Sequence, residues 1–252
     1  HLTKNADVIL ALGTRMGFNS TFYSYENINQ QAYIIQVDLE PKAISNYFPV
    51  NIGICADAPT VAQQLITAIT NIEKKNKIAD WTNQFIKKRS SYLKKRDAEA
   101  LSLYGKQPIQ PLSIFKELRD ILPKNIAITL DAGTLCLQAT DALNYWDPPC
   151  LFTPLDFGLV GFSFACGLGV KVARPDRPVI SLMGDGGFGM TISELSTAVK
   201  YGINTVTIVL NNHCWGAEKA YQRDFFGNRF IGSDIKAPPF DKVAELYGAV
   251  GF

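Results

Sequence analysis

The sequence contains no CxxC pair. Its five cysteines, Cys55, Cys136, Cys150, Cys166 and Cys214, are scattered and odd in number. That spacing suggests neither a zinc cage nor a disulfide framework, and fits reduced thiols in a cytoplasmic protein. No apolar run approaches the ~20 residues needed to cross a bilayer, so no transmembrane helix or membrane partner is expected. Charge of one sign is not in excess: 25 Lys+Arg against 23 Asp+Glu leave a formal net charge of +2. So neutral a balance gives no broad footprint for a nucleic acid. A shortage of apolar residues is missing as well: 47% are hydrophobic and 19% charged, which excludes a disordered chain and marks a cored globular one. There is no signal-peptide pattern, and position 1 is His1 rather than Met. Val8 to Gly13 reads as a buried strand almost at once, and the stretch from Ala244 to Phe252 stops just after an apparent helix. Both ends read as cut from something longer.

What is present alternates in the α/β manner. Asp7–Leu12, Tyr33–Asp38 and Ile52–Cys55 read as three strands. A helix follows from about Pro59 to Ile69, with Val61, Leu65 and Ile69 on one face. Long connections between the strands suggest parallel pairing in a Rossmann-like layer. Residues 71–105 are crowded with Lys and Arg, among them Lys74, Lys75, Lys77, Lys87, Lys88, Arg89, Lys94, Lys95 and Arg96. Ile78, Trp81, Phe85 and Tyr92 keep helical spacing there, which predicts a solvated helix with one docked stripe bridging two domains. From Pro108 the pattern restarts. Pro111 opens a helix with Leu112, Phe115 and Leu118 on its apolar face, and strand Ile126–Leu130 leads into the turn Asp131-Ala132-Gly133-Thr134. A Gly-rich segment, Phe157–Gly169, precedes strand Val179–Met183. A helix is expected from about Thr191 to Tyr201, then strand Thr205–Leu210, which ends at Asn211-Asn212. Polar residues thus collect at strand C-termini, where open α/β sheets place their ligands.

Chemistry concentrates in Gly184-Asp185-Gly186-Gly187-Phe188-Gly189, which formally fits G-x-G-x-x-G. A dinucleotide site would want an acidic residue about 20 positions on, at the end of the next strand. That strand ends instead in Asn211-Asn212, and Asp185 inside the turn would repel a bare pyrophosphate. A carboxylate beside a phosphate makes sense with a divalent metal between them, since Mg²⁺ takes about six oxygens from carboxylates, carbonyls and phosphates. Asp185 supplies a charged oxygen. Asn212, 212 − 185 = 27 positions on, supplies a neutral one from the neighbouring loop. Gly184, Gly186 and Gly187 let the backbone approach, and a helix N-terminus favours the anion.

GDG followed by NN across one helix and one strand resembles the thiamine-diphosphate motif of the acetolactate synthase and 2-oxoacid decarboxylase superfamily. Asn211-Asn212-His213-Cys214-Trp215-Gly216-Ala217-Glu218-Lys219, with Gln222, Asp224-Phe225 and Asn228-Arg229-Phe230, is similar to the branch of acetyltransferases that act on sulfoacetaldehyde. So are Val37-Asp38, the run Ile52 to Ala58 and Val61-Ala62-Gln63-Gln64. The resemblance implies that Asp185, Asn212 and the backbone carbonyl of Cys214 hold Mg²⁺ on the diphosphate. It places Gly133 and Thr134, with Gly184, Gly186, Gly187, Trp215 and Gly216, among the cofactor's neighbours. Val160 becomes the apolar wedge that keeps the cofactor bent, and Gly158 offers its carbonyl to the aminopyrimidine. The sequence departs from the pattern at Gly187, where Ala or Ser is frequent, and at Leu159-Val160, His213 and Cys214.

The resemblance implies parallel-sheet Rossmann-like layers. Residues 1–70 would be part of a central domain, 71–105 a basic helical linker, and 106–252 a diphosphate-binding domain truncated at its C-terminus. No catalytic residue is expected within the chain, because the activating Glu belongs to a pyrimidine-binding domain that no part of it matches. The expected activity converts sulfoacetaldehyde and phosphate into acetyl phosphate and sulfite, in a homodimer or homotetramer. Alternatives are an acetolactate-synthase-like or decarboxylating enzyme acting on a 2-oxoacid, and a non-catalytic nucleotide- or metal-binding domain. His213 reads as structural or solvent-exposed rather than as a base. Arg223 and Arg229 read as a sulfonate or phosphate clamp or, by default, as ion-pair partners.

Overall fold

The computed structural model describes residues 2–21, 24–70, 79–154 and 157–252. The start of the basic stretch, residues 71–78 with Lys74, Lys75, Lys77 and Ile78, lies outside the described residues, as does His1. The chain forms two compact units, one ending at Leu93 and the other starting at Lys94.

The first unit carries a three-stranded parallel sheet in the order β1-β2-β3, from β1 (Val8–Leu12), β2 (Tyr33–Asp38) and β3 (Ile52–Cys55). Val8 pairs with Tyr33 and Ile35 with Ile52. Ala11, Met16, Ile28, Ala32, Ile34 and Phe48 form its core beside the short helix α1 (Phe18–Thr21). Helix α2 (Ala58–Ile69) starts at Asp57, whose carboxylate accepts the Thr60 N–H. It docks by its first turn. Val61 is buried, and a Cβ at Gly13 would touch that of Ala58, whereas Leu65 and Ile69 of the expected apolar face are exposed.

Helix α3 (Ala79–Ser102) runs across the boundary between the units. The stripe expected to dock on this helix is largely in solvent. Trp81 and Tyr92 are exposed, and Trp81 stacks on Phe85 at 6.2 Å. The buried residues lie in the last turns instead, at Arg96 and Ala100. The reason is a network within the second unit: Arg119 pairs with Asp97, and Arg96 donates to the Asp141 carbonyl.

In the second unit β4 (Ala127–Leu130), β5 (Leu151–Phe152), β6 (Val179–Gly184) and β7 (Val206–Leu210) form a parallel sheet in the order β5-β4-β6-β7. Every β4 residue is buried, as are Val179–Met183 of β6, as expected for central strands covered on both faces. On one face Ile128, Leu130, Ile180 and Leu182 meet Phe115 and Leu118 of α4 (Pro111–Ile121) and Cys136 and Ala139 of α5 (Thr134–Ala142). On the other, Met183 meets Phe164 and Leu168 of α6 (Phe162–Ala173), Phe188 of α7 (Asp185–Thr191) and Leu195 of α8 (Leu195–Tyr201). Helices α9 (Gly216–Phe225) and α10 (Phe240–Tyr247) complete the unit.

The chain leaves β4 toward β5 on one side and returns to β6 on the other. The strand order therefore reverses between β4 and β6, and the crevice outside their C-terminal ends is the topological switch point at which α/β sheets bind ligands. Among the described residues no helix is long and apolar enough to cross a membrane.

Candidate functional site

The switch point opens at Gly133-Thr134 after β4 and at Gly184-Asp185 after β6. Pairing of Gly184 with Leu210 brings the end of β7, and so Asn211-Asn212, alongside. Gly133 precedes α5 with φ 96°, a left-handed region that favours glycine, and Thr134 begins the helix.

The glycine-rich run is not the loop that the sequence suggests. The helix expected from Thr191 to Tyr201 is α8, which starts four residues later at Leu195, and a separate helix not expected from the sequence, α7, starts at Asp185 with Gly184 as its cap. Gly186 and Gly187 are therefore helical, and what they supply is room. A Cβ on Gly186 would stand 2.4 to 2.7 Å from three atoms of the Trp215 ring, and one on Gly187 would stand 1.9 Å from the Asp131 carboxylate. Gly186→Ala is accordingly expected to drive the indole off its seat. Trp215 emission would shift and diphosphate binding would weaken about tenfold, as for other supporting-residue changes, in a fluorescence titration. An unchanged spectrum and affinity would contradict this packing.

Asp185 is 2% exposed, and its Oδ2 has no hydrogen-bond partner. A buried carboxylate oxygen left unpaired is costly, and such an atom calls for a cation. The neighbouring loop supplies neutral oxygens. Asn211 Oδ1 accepts the His213 N–H at 3.1 Å, and Asn212 Oδ1 accepts the Cys214 N–H at 3.2 Å, keeping a second lone pair. These two turns hold His213 at φ 57°. Residues 233–235 fasten the loop from outside: Trp215 donates to the Ser233 carbonyl, and Ile235 donates to that of His213, both at 2.8 Å. This bridge pairs Cys214 with Asp234 without using the Cys214 carbonyl. Burial pushes the Cys214 thiol up, and the negative charges of Asp185 and Asp234 add to that against Lys219. The thiol thus stays neutral, and the carbonyl is left as this residue's hard donor.

Gly216 closes the cradle. A Cβ there would stand 3.2 Å from Asn212 Nδ2 and 3.7 Å from Thr134 Oγ1, so three of the expected residues converge. Lys219 is drawn away by Asp234 at 2.6 Å and lies over the Phe230 ring. Arg223 is paired with its neighbour Asp224, and Arg229 donates to the Phe226 carbonyl. The last two are therefore engaged locally, and His213 is exposed.

Gly158, with φ 72°, is exposed, and Val160 is half-buried. Val160 lines an apolar cavity of about 770 Å³ with Leu159, Phe162 and Cys166, whose lining includes neither Asp185 nor Asn212. The loop reaches α7 through Gly161, where a Cβ would stand 3.0 Å from Thr191 Cγ2. Sequence reasoning overlooked Asp131. It is 2% exposed, and its carboxylate accepts the N–H groups of Gly161 and Ser163. Its place at the end of an apolar strand was the available signal.

Asp185 offers a carboxylate, Asn212 an amide carbonyl and Cys214 a backbone carbonyl, oxygens of the hard kind that Mg²⁺ takes. Among the described residues no group of three or more His, Cys, Asp or Glu could hold a metal ion, so the softer sets are not on offer.

Fold and loops together define an open parallel α/β sheet whose switch point gathers Thr134, Asn212 and Gly216. Comparison with known proteins goes further. Residues 1–65 match the thiamine pyrophosphate enzyme central domain, and residues 131–252 match the C-terminal TPP-binding domain of the same enzymes. The chain belongs to the thiamine pyrophosphate enzymes. It is 30% identical to a sulfoacetaldehyde acetyltransferase of Castellaniella defragrans, over 99% of this chain and 45% of that protein. It is 31% identical to a probable acetolactate synthase large subunit of Methanococcus aeolicus, over 96% of this chain and 42% of that protein. The acetolactate synthase large subunit of Buchnera aphidicola is 32% identical, over 98% of this chain and 42% of its own length. The chain thus spans less than half the length of these relatives.

Proposed function

We propose that this chain is the central and diphosphate-anchoring part of a thiamine-diphosphate- and Mg²⁺-dependent acyltransferase that turns sulfoacetaldehyde and phosphate into acetyl phosphate and sulfite. The cofactor part of this reading is carried by the unpaired, buried Oδ2 of Asp185 at the sheet's switch point. Asp185, Asn212 and the Cys214 carbonyl would hold the metal, and Gly133, Thr134, Gly184, Gly186, Gly187, Trp215 and Gly216 would surround the diphosphate. When bound, thiamine diphosphate supplies a nucleophilic carbon that adds to the substrate carbonyl. The chain's residues act by posture and field. Asp185, itself buried, would offset metal charge, the glycines would admit the anion to the backbone, and Val160 with the Gly158 carbonyl would orient the organic part. In the net reaction, the C–S bond of the substrate would break with its electron pair leaving on sulfite, and phosphate would take the remaining two-carbon unit as acetyl phosphate.

The substrate assignment rests on the Trp215–Lys219 run and the acetyltransferase relative. A second reading, an acetolactate-synthase-like enzyme on a 2-oxoacid, draws support from the relatives at 31% and 32% identity. The protein expressed from the whole reading frame, assayed for phosphate-dependent sulfite release and for pyruvate consumption, separates the two. Sulfite release is expected; pyruvate consumption without it would replace the first reading by the second. Residues 1–252 alone are expected to form no acetyl phosphate, because the activating Glu is assigned to a pyrimidine-binding domain outside them. A homodimer or homotetramer is the assembly this reading implies.

A further inference from the structure

Between Phe157 and Phe162 the loop that carries Gly158 and Val160 reads Phe-Gly-Leu-Val-Gly-Phe, with no polar side chain of its own. Two of its glycines have positive φ, 72° at Gly158 and 88° at Gly161, a region that imposes no restraint on glycine. A segment of this kind can be held in one place only by groups outside it.

The loop's start is tied by the Phe157 and Gly158 N–H groups to the Pro154 carbonyl, at 3.0 and 2.7 Å, and its other end is held by the carboxylate of Asp131. Its backbone is fixed by β6, since the Asp131 N–H donates to the Leu182 carbonyl at 3.1 Å. Oδ2 accepts the Gly161 N–H at 3.1 Å, and Oδ1 accepts the Ser163 N–H at 3.4 Å. Hydrogen bonds to an ionised acceptor are about twice as strong as neutral ones, which suits a single side chain to this task. Oδ2 also occupies the space in front of Gly187, 1.9 Å from where a Cβ would be. One buried carboxylate therefore touches the loop and the first turn of α7 while standing two residues before Gly133. Burial raises its pKa, and the surrounding backbone N–H groups pull the other way.

We propose that Asp131 is a positioning residue: through its bonds to Gly161 and Ser163 and its seat on Gly187, it sets the Gly158–Gly161 loop against α7. In doing so it sets the grip of the site on thiamine diphosphate. The inference rests on the cofactor reading given above. It also makes positions 131 and 187 a linked pair, because glycine at 187 is what leaves the carboxylate its seat.

The test uses the protein expressed from the whole reading frame in five forms: wild type, Asp131→Asn, Gly187→Ala, Asp131→Ala, and the double Asp131→Ala/Gly187→Ala. Asp185→Ala serves as the metal-site control. Amide hydrogen exchange at Gly161 and Ser163 is read without cofactor, and thiamine diphosphate affinity is read by calorimetry in excess Mg²⁺. Asp131→Asn keeps the volume and loses an acceptor. It is expected to speed exchange at both amides about tenfold and to weaken the cofactor about tenfold, the usual scale for outer-shell groups. Gly187→Ala should do the same by unseating the carboxylate. In the double variant alanine at 187 should add nothing to Asp131→Ala, because the atom it strikes is gone.

Wild-type exchange and affinity in Asp131→Asn overturn the positioning role, and so do additive effects in the double variant. If wild type binds and Asp185→Ala does not, either of those results falls on Asp131 alone. A wild-type chain that binds no thiamine diphosphate overturns the cofactor reading and this inference with it. Should Asp131→Ala fail to fold, Asp131→Asn and Gly187→Ala still decide the matter.

Discussion

Asp185→Ala is expected to weaken magnesium-dependent binding of thiamine diphosphate by about 100-fold or more, since loss of outer-shell groups alone costs 10- to 100-fold at metal sites. The same substitution should leave the metal-free chain at least as stable as wild type. Oδ2 of Asp185 is buried without a hydrogen bond, so removing it loses no bond there and lifts a desolvation cost. The two effects have opposite signs, which distinguishes a site residue from a core residue. Thermal melting with and without Mg²⁺ and cofactor reads both. At cofactor concentrations near 100 times its dissociation constant, wild type should gain about 2.7 kcal/mol and the variant almost none. A variant that keeps the ligand-induced shift would remove Asp185 from the site. A variant that melts far lower without ligand would make it an ordinary structural aspartate.

The part of this site that was legible in the sequence is the part that breaks sequence rules. A carboxylate inside a glycine turn and two asparagines after an apolar strand have no packing reason to be there. The α/β alternation then places both at strand C-termini. Local helix starts were not legible in the same way. Gly186 and Gly187 argue against helix by propensity, yet both are helical, because tertiary neighbours at Trp215 and Asp131 require bare Cα atoms there. The same competition hid α6. Gly167 lies mid-helix under Ser181, whose Oγ would stand 2.3 Å from a Cβ, so the Gly-rich segment to which the sequence assigns no element ends in a helix pressed onto β6.

Asp131 was missed for a different reason. Its one local mark is its place at the end of an apolar strand, and its partners are 30 and 32 residues away. The buried hydroxyls beside it follow the same pattern. Thr129 Oγ1 donates toward Ser163 and Ser181, and Ser163 Oγ donates to the Thr129 carbonyl, joining β4, α6 and β6 across gaps of 34 and 52 residues. Polar residues in apolar strands are the only trace such networks leave in a sequence. The stripe on α3 failed in the opposite direction: helical spacing at Trp81, Phe85 and Tyr92 marks a face, and spacing alone does not say that anything covers it.

Arg177→Ala is expected to destabilise the second unit by about 2–3 kcal/mol while leaving the chemistry of the switch point intact. Arg177 precedes β6, at the opposite end of that strand from Gly184, and is 5% exposed. Its Nε donates to the Asn125 carbonyl at 2.6 Å, Nη1 to that of Pro149 at 3.2 Å, and Nη2 to that of Asp147 at 2.5 Å. Nη2 also lies 3.3 Å from the Asp147 carboxylate. One planar fork thus satisfies three carbonyls from the connections entering β4 and β5. Truncation orphans all three. Asn125, Asp147 and Pro149 are themselves exposed, so water recovers part of the loss, which keeps the expected cost below that of breaking a fully buried ion pair. Arg177→Lys should recover little, because a point ammonium cannot reach three divergent acceptors at once. Urea unfolding of both variants, followed by cofactor titration of the folded fraction, is the measurement. An unfolding midpoint near that of wild type for Arg177→Ala would show that the fork is dispensable. A fall in stability with unchanged affinity per folded molecule would show that the sheet's foundation and its ligand cleft are energetically separate.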